Sequence, residues 1–382
     1  MSDSGASSRP FVLATGGTGG HVFPAQALAA ELLRRGHAVV LVTDKSRGGG
    51  YHTRFPGVDL HFVRAASPTG RGVLGKVGAL AEIGLGTIGA RGLLKSLRPA
   101  IVVGFGGFPS LPTMLAAISL RLPTVLHEQN ALLGRVNRLL MPGVSAIALS
   151  FAATAGIRPA DRDKVHVTGN PVRETIAVVR DLPYSPPAAA GAVRLLILGG
   201  SQGARILSEI VPPALIGMAP ELRMRLRVTQ QCRRDDLDGV RESYRAADIA
   251  ADLADFFDDI PVQLASAHLV ISRSGASTMA ELTVAGRPSI LVPFAHATDD
   301  HQTANAQAAV AVGGALAIAE VKFSAQILRE SLEALLADGT ALASMAAAAR
   351  AIGTPRAAID LADLVEQVAQ AKGVADDGRA AA

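Results

Sequence analysis

The sequence predicts an α/β protein built from two Rossmann-like parallel-sheet domains, and three observations support this prediction. At 382 residues the chain exceeds the size at which single cores stop growing, roughly 250–300 residues. Short aliphatic and β-branched runs alternate with longer helical patterns, which is typical of βαβ units. Each half also opens with a strand, a glycine-rich turn and a helix, at 12–21 and at 195–205. We expect the two domains to face each other across a cleft.

The predicted strands fall into two sets. The first set is Phe11–Thr15, Ala38–Thr43, Ile101–Gly104, Thr124–His127, Ala146–Leu149 and Val165–Thr168, with helices between them such as Pro24–Arg35. The second set is Val193–Leu198, Met224–Thr229, Leu269–Ser272, Ser289–Pro293 and Ala315–Ala319. Three prolines lie between the sets, in 181–191, and proline does not continue a helix or a central strand. We therefore expect an N-terminal domain at 10–180, a linker at 181–191 and a C-terminal domain at 192–354.

The net charge of +4 is unevenly distributed along the chain. Residues 1–175 hold 19 Lys+Arg against 9 Asp+Glu, whereas residues 176–382 hold 18 against 24. This asymmetry predicts that the first half faces an anionic partner. Aromatic residues make up 4% of the chain, Trp is absent and the basic residues are dispersed, which disfavours nucleic acid. An anionic membrane surface or a pyrophosphate fits better.

The N-terminal sequence, the hydropathy and the cysteine content exclude further classes of protein. The start of the chain lacks a signal-peptide pattern, and the sequence contains no run of roughly 18 uncharged apolar residues, so we expect a cytoplasmic protein without a spanning helix. The single cysteine, Cys232, excludes an intramolecular disulfide and a cysteine metal cluster. We interpret it as structural.

The two glycine-rich turns predict two phosphate sites. Glycine lets the backbone approach a ligand, and the following helix N-terminus offers amide hydrogens and a positive dipole end. A dinucleotide fingerprint requires a third glycine. Gly17 and Gly19 have the right spacing, but Val22 occupies the third position. The dinucleotide fingerprint is therefore incomplete. The alternative from another class is a nicotinamide dehydrogenase that uses Asp44 as its ribose acid.

Six motifs stand in one order along the chain: 15–24 (TGGTGGHVFP), 103–109 (VGFGGFP), 127–130 (HEQN), 169–173 (GNPVR), 199–205 (GGSQGAR) and 272–276 (SRSGA). From about Phe11 to Ile352 the chain resembles the MurG family, the bacterial transferases that convert lipid I to lipid II in peptidoglycan synthesis. The resemblance implies the GT-B fold, with the acceptor on the N-terminal domain and most of the UDP-N-acetylglucosamine on the C-terminal domain. It also implies that a last helix, at 355–372, crosses back to the first domain.

The resemblance also implies the site residues. The donor contacts would be Thr18, Gly19, Gly20, Asn130, Arg173, Ser201, Gln202, Phe257, Ala276, Ser277, Thr278, Met279, Ala280, Glu281 and Gln302. Gly16, Gly17, Gly106 and Gly107 would form the loops for the acceptor pyrophosphate. A carboxylate such as Glu281 can accept hydrogen bonds from two ribose hydroxyls, and the amides of Asn130 and Gln302 suit sugar hydroxyls. In relatives the residue at Phe257 is usually aliphatic, and the loop before Gln302 is shorter in some.

The expected reaction is direct displacement with inversion at the donor sugar, and it needs a base. His21 is the candidate, because imidazole titrates near neutral pH and this one follows the glycine loop. A cap or a phosphate contact is the alternative role for it, and Glu128 is the reserve base. We expect no metal and no cofactor, although His296, Asp299, Asp300 and His301 would be competent metal ligands.

The segment from Arg71 to Lys95 combines apolar residues at near-helical spacing with four basic residues and one acid. A basic amphipathic stretch of this kind can lie in the headgroup region of an anionic membrane. A buried helix pair with its charges in solvent is the alternative. Peripheral binding at the cytoplasmic face of the inner membrane is the expectation that the resemblance favours. Other GT-B enzymes, such as a UDP-N-acetylglucosamine 2-epimerase or a macrolide glycosyltransferase, and a non-catalytic sugar-nucleotide binding protein are the remaining alternatives.

Overall fold

The structure, a computed structural model, describes residues 9–44, 55–68, 72–200 and 203–380, which form two α/β units. The first unit comprises Met1–Arg173 and Arg356–Ala382, and the second comprises Glu174–Pro355. Each unit contains one parallel sheet with helices on its faces. The predicted fold class of two parallel-sheet units is confirmed.

The first sheet has seven strands in the order β3-β2-β1-β4-β5-β6-β7, and the second has six in the order β10-β9-β8-β11-β12-β13. The strands of the first sheet are β1 Phe11–Ala14, β2 Val39–Thr43, β3 Asp59–Phe62, β4 Ile101–Gly104, β5 Thr124–Glu128, β6 Ala146–Leu149 and β7 Val165–Val167. The strands of the second are β8 Val193–Leu198, β9 Leu226–Gln231, β10 Ala250–Ala254, β11 Leu269–Ser272, β12 Ser289–Leu291 and β13 Ala315–Ala317.

The helices lie between these strands and after the last one. Among the described residues, the α-helices are α1 Gly19–Arg34, α2 Val73–Leu97, α3 Gly107–Ser119, α4 Arg135–Leu140, α5 Glu174–Ala177, α6 Arg205–Ile216, α7 Pro220–Arg223, α8 Leu237–Ala246, α9 Ile260–Ser266, α10 Ala276–Ala285, α11 His301–Val310, α12 Ala325–Ala337, α13 Gly339–Ala351 and α14 Ala357–Ala380. Short 3₁₀ helices span Met141–Gly143, Pro159–Lys164, Val178–Asp181, Arg234–Asp236, Thr298–Asp300 and Glu320–Lys322.

Both faces of the first sheet are covered by helices. Side chains of β1 alternate between the faces, as period-2 strand geometry requires. Leu13 packs with α1 and α14 on one face. Val12 packs with α2 and α3 on the other. A parallel sheet buried on both faces explains why its strands are continuous apolar runs, and why the sequence predicts the central strands so directly.

The final helix α14 belongs to the first unit, although the second unit separates it from the rest in sequence. Leu361 and Val365 are fully buried beside α1. Arg35 at the end of α1 donates to Glu366, with Nη1 2.7 Å from Oε2. His37 Nε2 lies 2.6 Å from the other carboxylate oxygen of Glu366. Apolar burial and this ion pair together hold α14 on the first unit.

The structure corrects the predicted boundary at 180 and the predicted linker at 181–191. Both fall inside the second unit, which begins at Glu174. The Tyr184 hydroxyl donates to the His268 carbonyl at 2.8 Å, and Arg225 donates to the carbonyls of Ala188 and Gly191 at 2.8 Å. The prolines break regular structure here. The segment still packs on the second unit, because the Tyr184 hydroxyl and the carbonyls of Ala188 and Gly191 are hydrogen-bonded to it.

Two strands and one helix start also differ from the prediction. The edge strands β3 and β10 were not predicted, because both are partly exposed and lack the continuous apolar run of a central strand. Helix α1 begins at Gly19 rather than at Pro24, since the amides of His21 and Val22 donate to the Thr18 carbonyl at 3.1 and 3.2 Å. The glycine turn therefore forms the first helical turn itself.

Helix α2 presents opposite faces to the core and to solvent. Ala79, Ile83, Ala90 and Leu94 are buried against the first sheet. By length and composition alone, α2 is long and apolar enough to cross a membrane, and the bent pair α12–α13 also is if taken as one span. This differs from the expectation that no segment has that character. The packed face shows that α2 is part of the first unit's core.

Candidate functional site

The strand order of each sheet defines one topological switch point, and the glycine turns lie there. In the first sheet the order reverses between β1 and β4. The turn at 15–19 follows β1, and Gly106-Gly107 follows β4. In the second sheet the reversal falls between β8 and β11. The turn 199–203 follows β8, and Ser274-Gly275 follows β11. Ligands of open parallel sheets bind at the carboxyl ends of strands at such points.

The two loops of the first unit pack directly on each other. A Cβ at Gly16 would lie 2.7 Å from Pro109 Cβ and 2.8 Å from Thr43 Oγ1. Gly107 has φ +72°, and a Cβ there would lie 3.2 Å from His21 Cδ2. Side chains at either position would separate the loops. The N-termini of α1 and α3 therefore meet at one point, with the His21 ring against Gly107, in an arrangement suited to an anion.

His21 is the first member of a chain of hydrogen bonds into the interior. Its Nδ1 lies 2.9 Å from Gln129 Oε1. Gln129 Nε2 lies 2.9 Å from His127 Nδ1 and 3.1 Å from the His127 carbonyl. His127 Nε2 lies 3.1 Å from the Gly169 carbonyl. Burial lowers the pKa of His127 to about 4, since water no longer solvates the charged ring and His21 is nearby.

Glu128 is held by four hydrogen bonds in the same region. Its Oε1 accepts from the backbone and side-chain amides of Asn130 at 2.9 and 3.1 Å. Its Oε2 accepts from the Gly134 amide and Asn137 Nδ2, both at 2.8 Å. A carboxylate has about four lone-pair sites, so these donors saturate it. The geometry gives Glu128 a structural role in the loop after β5, which argues against its use as the reserve base.

Arg173 ends the first unit, and its guanidinium carbon lies 5.5 Å from the centre of the Phe23 ring on α1. This stacking makes Arg173 half-buried rather than a solvated surface residue. Asn170, in the same motif, was not predicted as a site residue. It is 4% exposed, and its amide has no hydrogen-bond partner among the described residues. A buried amide without a hydrogen-bond partner is unfavourable, and a bound ligand could supply the missing partner.

In the second unit the turn after β8 also depends on close approach. A Cβ at Gly199 would lie 2.5 Å from the Ala204 amide nitrogen, and a Cβ at Gly203 would lie 2.7 Å from Arg233 Cγ. Helix α6 begins two residues later, at Arg205. The predicted site residues Ser201 and Gln202 lie outside the residues that the structure describes.

The N-termini of α10 and α11 are tied together. Ser274 Oγ donates to the Gln302 carbonyl at 2.8 Å, and Asn305 Nδ2 donates to the Ser274 carbonyl at 3.1 Å. Gln302 Oε1 accepts from the Phe294 amide at 3.0 Å, which orients its side-chain amide. Two helix N-termini and a polar side chain therefore meet at the carboxyl edge of the second sheet.

The remaining predicted donor contacts of this unit lie at the same edge. Phe257 follows β10 and is buried, with 8% of its surface exposed. The first turns of α10 contain Ala276, Ser277, Thr278, Met279, Ala280 and Glu281. Among these, Glu281 is half-buried.

An ion pair that the sequence did not predict orders the loop before Gln302. Arg273 is 8% exposed and donates to both oxygens of Glu320 at 3.0 and 3.2 Å. Glu320 also accepts from the Ala295 amide at 2.7 Å. These hydrogen bonds lower the pKa of Glu320 against the opposing effect of its burial. Arg273 stands in one of the six sequence motifs and could have been found, whereas Glu320 lies 47 residues away in sequence without a local signal.

The histidines and aspartates near Gln302 have other partners. The His296 ring packs edge-on to Phe294, 5.7 Å between centres, and His301 Nδ1 lies 2.8 Å from the Thr298 carbonyl. Asp300 accepts from Thr303 at 2.7 Å. Within the described ranges, no group of three or more His, Cys, Asp or Glu side chains is placed to hold a metal ion.

Two Rossmann-like units with glycine turns at their switch points have the architecture of the GT-B fold, which solved glycosyltransferases share. The glycosyltransferase family 28 N-terminal domain matches residues 11–149, and its C-terminal domain matches 194–365. The chain is 52% identical over 359 residues to the UDP-N-acetylglucosamine–N-acetylmuramyl-(pentapeptide) pyrophosphoryl-undecaprenol N-acetylglucosamine transferase of Rhodospirillum centenum, covering 94% of each. The chain therefore belongs to glycosyltransferase family 28 and, within it, to the MurG family.

Solved structures agree with this assignment. MurG of Acinetobacter baumannii matches with a TM-score of 0.76 at 27% identity, covering 94% of this chain and 99% of that one. A UDP-GlcNAc 2-epimerase of Neisseria meningitidis matches with a TM-score of 0.63 at 14% identity, covering 94% and 100%. The second likeness shows a shared fold alone. Family membership, rather than fold, separates the chain from the epimerase and from the dehydrogenase considered for Asp44.

The buried His127 predicts a pH-dependent stability. Its pKa is about 4 in the folded state, against an ordinary value of 6.5 in the unfolded chain, so the unfolded chain binds more protons between these values. The contribution is fully present above pH 6.5 and is lost as pH falls towards 4, about 3 kcal/mol in all. Urea unfolding at pH 7.0, 5.5 and 4.5 should show this loss in the wild type and a smaller slope in His127→Phe.

His166→Gln is the matched control, because His166 is exposed on β7 of the same sheet. Its slope between pH 7.0 and 4.5 should equal that of the wild type. A His127→Phe slope equal to that of the wild type would contradict the burial argument, whatever the absolute stability of the variant.

Proposed function

We propose that this protein transfers N-acetylglucosamine from UDP-N-acetylglucosamine to the C4 hydroxyl of lipid I and so forms lipid II. The observation that carries the proposal is the pair of glycine turns at the two switch points, in a chain 52% identical to an enzyme named for this transfer. One turn serves the acceptor pyrophosphate and the other serves the diphosphate of the donor. Helix N-termini bind both anions through amide hydrogens.

The second unit takes most of the donor. The UDP diphosphate lies at the start of α6, near Ser201 and Gln202, and Glu281 accepts from the ribose hydroxyls. Gln302 contacts the sugar hydroxyls, in a position that its bond to the Phe294 amide supports. Phe257 packs beside the uracil, with Ala276, Ser277, Thr278, Met279 and Ala280 along the same helix start. From the first unit we assign Thr18, Gly19, Gly20, Asn130 and Arg173 as further donor contacts.

The first unit takes the acceptor and supplies the base. Gly16, Gly17, Gly106 and Gly107 admit the acceptor pyrophosphate to the N-termini of α1 and α3. The C4 hydroxyl oxygen attacks C1 of the donor sugar, its proton passes to His21, and the bond from C1 to the UDP oxygen breaks with inversion. The helix dipole at α6 stabilises the departing diphosphate. No step requires a metal or a cofactor.

Transfer of radiolabelled N-acetylglucosamine to a lipid I analogue tests the proposal. We expect product with the wild type in the presence of EDTA, and a rate roughly 10²–10⁴ lower for His21→Gln if His21 is the base. Binding of UDP-N-acetylglucosamine without any transfer would instead identify a binding protein. Conversion to another UDP-sugar without an acceptor would identify an epimerase.

The donor assignment predicts a selective loss of nucleotide affinity. Glu281→Ala removes the acceptor for the ribose hydroxyls, and the loss of one such partner costs roughly 1–3 kcal/mol. Calorimetric titration with UDP should therefore show binding weaker by about 5- to 150-fold. Glu242→Ala is the control, since this exposed carboxylate of the same unit pairs with Arg245 on α8. Unchanged UDP affinity in Glu281→Ala would remove that residue from the site.

We propose further that α2 docks this enzyme on the cytoplasmic face of the inner membrane. Its outer face exposes an apolar stripe, with 89% of Leu74, 62% of Leu80 and 70% of Ile88 accessible. Lys76 and Lys95 are exposed beside the stripe. Arg91 donates to Ser119 Oγ, and Arg71 lies outside the described residues. A helix with one face packed in the core and an exposed apolar face flanked by lysines suits the headgroup region.

Membrane docking predicts two separable contributions to vesicle binding. Leu74→Gln with Leu80→Gln removes apolar insertion worth roughly 1–3 kcal/mol per side chain, so co-sedimentation with anionic vesicles should fall more than tenfold. Lys76→Gln with Lys95→Gln should remove the salt-sensitive part, about 1 kcal/mol per charge.

The matched control replaces two exposed apolar residues of the second unit, Met224→Gln with Val321→Gln, whose side chains are 69% and 87% accessible. This variant should sediment like the wild type. If the α2 variants sediment like the wild type as well, another surface binds the membrane.

A further inference from the structure

We propose that Gln129 and His127 are positioning residues that hold His21 as the tautomer protonated at Nδ1, so that its Nε2 carries the free lone pair. The value of this tautomer for catalysis rests on the proposed function, which assigns His21 as the base. The hydrogen-bond chain that selects the tautomer does not depend on that function.

The direction of the hydrogen-bond chain is set at its inner end, at His127. His127 Nε2 lies 3.1 Å from the Gly169 carbonyl, and a carbonyl oxygen can only accept. His127 Nε2 therefore carries a proton and donates it. In a neutral imidazole the other nitrogen is then an acceptor, so His127 Nδ1 presents a lone pair to Gln129.

Gln129 passes this direction on to His21. One end of its amide faces two acceptors, His127 Nδ1 at 2.9 Å and the His127 carbonyl at 3.1 Å. That end must be the NH₂ group, so the identity of the two amide atoms follows from chemistry. The opposite end is the carbonyl Oε1, which lies 2.9 Å from His21 Nδ1. An amide oxygen accepts, so His21 Nδ1 carries the proton.

The remaining nitrogen of His21 faces the glycine loop. A Cβ at Gly107 would lie 3.4 Å from His21 Nε2, so this edge of the ring is directed at the start of α3. Nε2 is thus deprotonated where the acceptor loop approaches. A histidine free in water favours the opposite tautomer, and the second nitrogen's hydrogen bond is what selects the form in a protein.

Burial prevents the donor and acceptor roles in the hydrogen-bond chain from reversing. His127 is 0% exposed and Gln129 is 1% exposed, so water cannot replace a lost partner. A reversed amide would place its oxygen against the His127 carbonyl and leave buried acceptors unpaired, which is costly. The Phe105 ring, 5.5 Å from that of His127, lines the same pocket. The low pKa of His127, about 4, keeps this ring neutral at physiological pH.

Nitrogen-15 NMR of histidine-labelled wild-type enzyme tests the tautomer directly. The chain has nine histidines, and the signals of His21 are those that disappear in His21→Gln. We expect Nδ1 to be the protonated and Nε2 the unprotonated nitrogen of His21 at pH 7.5. Protonation at Nε2 in the wild type would overturn the proposal.

Variants at Gln129 test the positioning role. In Gln129→Met the new side chain is close in size, but its thioether sulfur is only a weak acceptor for His21, so the Nε2-protonated form of His21 should become the major one. The kcat for transfer to the lipid I analogue should fall roughly tenfold or more, because the base then lacks its lone pair. The KM for UDP-N-acetylglucosamine should stay within about twofold, since general-base loss acts on the chemical step.

Ser145→Ala is the control for a side-chain hydrogen bond that is lost away from His21. Ser145 Oγ accepts from the Thr124 amide at 3.2 Å, at the opposite end of the strand that carries His127. This variant should keep the His21 tautomer and kcat. The proposal falls if Gln129→Met leaves both unchanged, or if Ser145→Ala changes them equally.

The outcomes separate this proposal from the proposed function. If His21→Gln retains full activity while the wild-type tautomer is as expected, the assignment of the base fails and the positioning role stands. If His21→Gln is inactive but Gln129→Met keeps the wild-type tautomer and kcat, positioning fails and the base stands. Should the wild type transfer no sugar at all, the NMR measurement still decides the tautomer.

Discussion

Close approach of backbone segments at the carboxyl edges of the two sheets is the constraint on which the rest of the structure depends. Glycine makes this approach possible, because a Cβ at Gly16 or Gly199 would come within 2.7 Å of a neighbouring segment. In the first unit, contact between the two loops brings the N-termini of α1 and α3 together at the switch point. The position of the His21 ring against Gly107 follows from that contact. The geometry of the candidate site therefore depends on backbone spacing as well as on side chains.

The sequence predicts the features that depend on local pattern. Central strands such as β4 and β11 are continuous apolar runs, and the sequence predicts both ends of each of them. The edge strands β3 and β10 have no such run. Pro24 suggests a first helical position, but helix α1 begins five residues earlier, at Gly19, because the glycine turn forms its first turn. The prolines of 181–191 show where regular structure ends, but they do not show that this segment packs on the second unit.

The candidate site divides in the same way. Turn glycines are visible as short motifs, so the sequence predicts their positions. Pairings between distant residues are not visible: His21 and Gln129 are 108 residues apart, and Arg273 and Glu320 are 47 apart. The sequence also suggested Glu128 as a base, because nothing local shows that four donors saturate its carboxylate. Burial and partner geometry decide such roles, and both are properties of the folded chain.

The placement of α14 has a consequence for synthesis. The first unit receives its last helix only after the whole second unit has been made, since Arg356–Ala382 follows Glu174–Pro355 in the chain. A ribosome adds about 5–20 residues per second, so the α1 face that receives Leu361 and Val365 waits roughly ten seconds or more for its cover. The nascent first unit thus carries an unfinished apolar surface during translation. A chaperone that shields such a surface would serve this protein before its carboxyl terminus emerges.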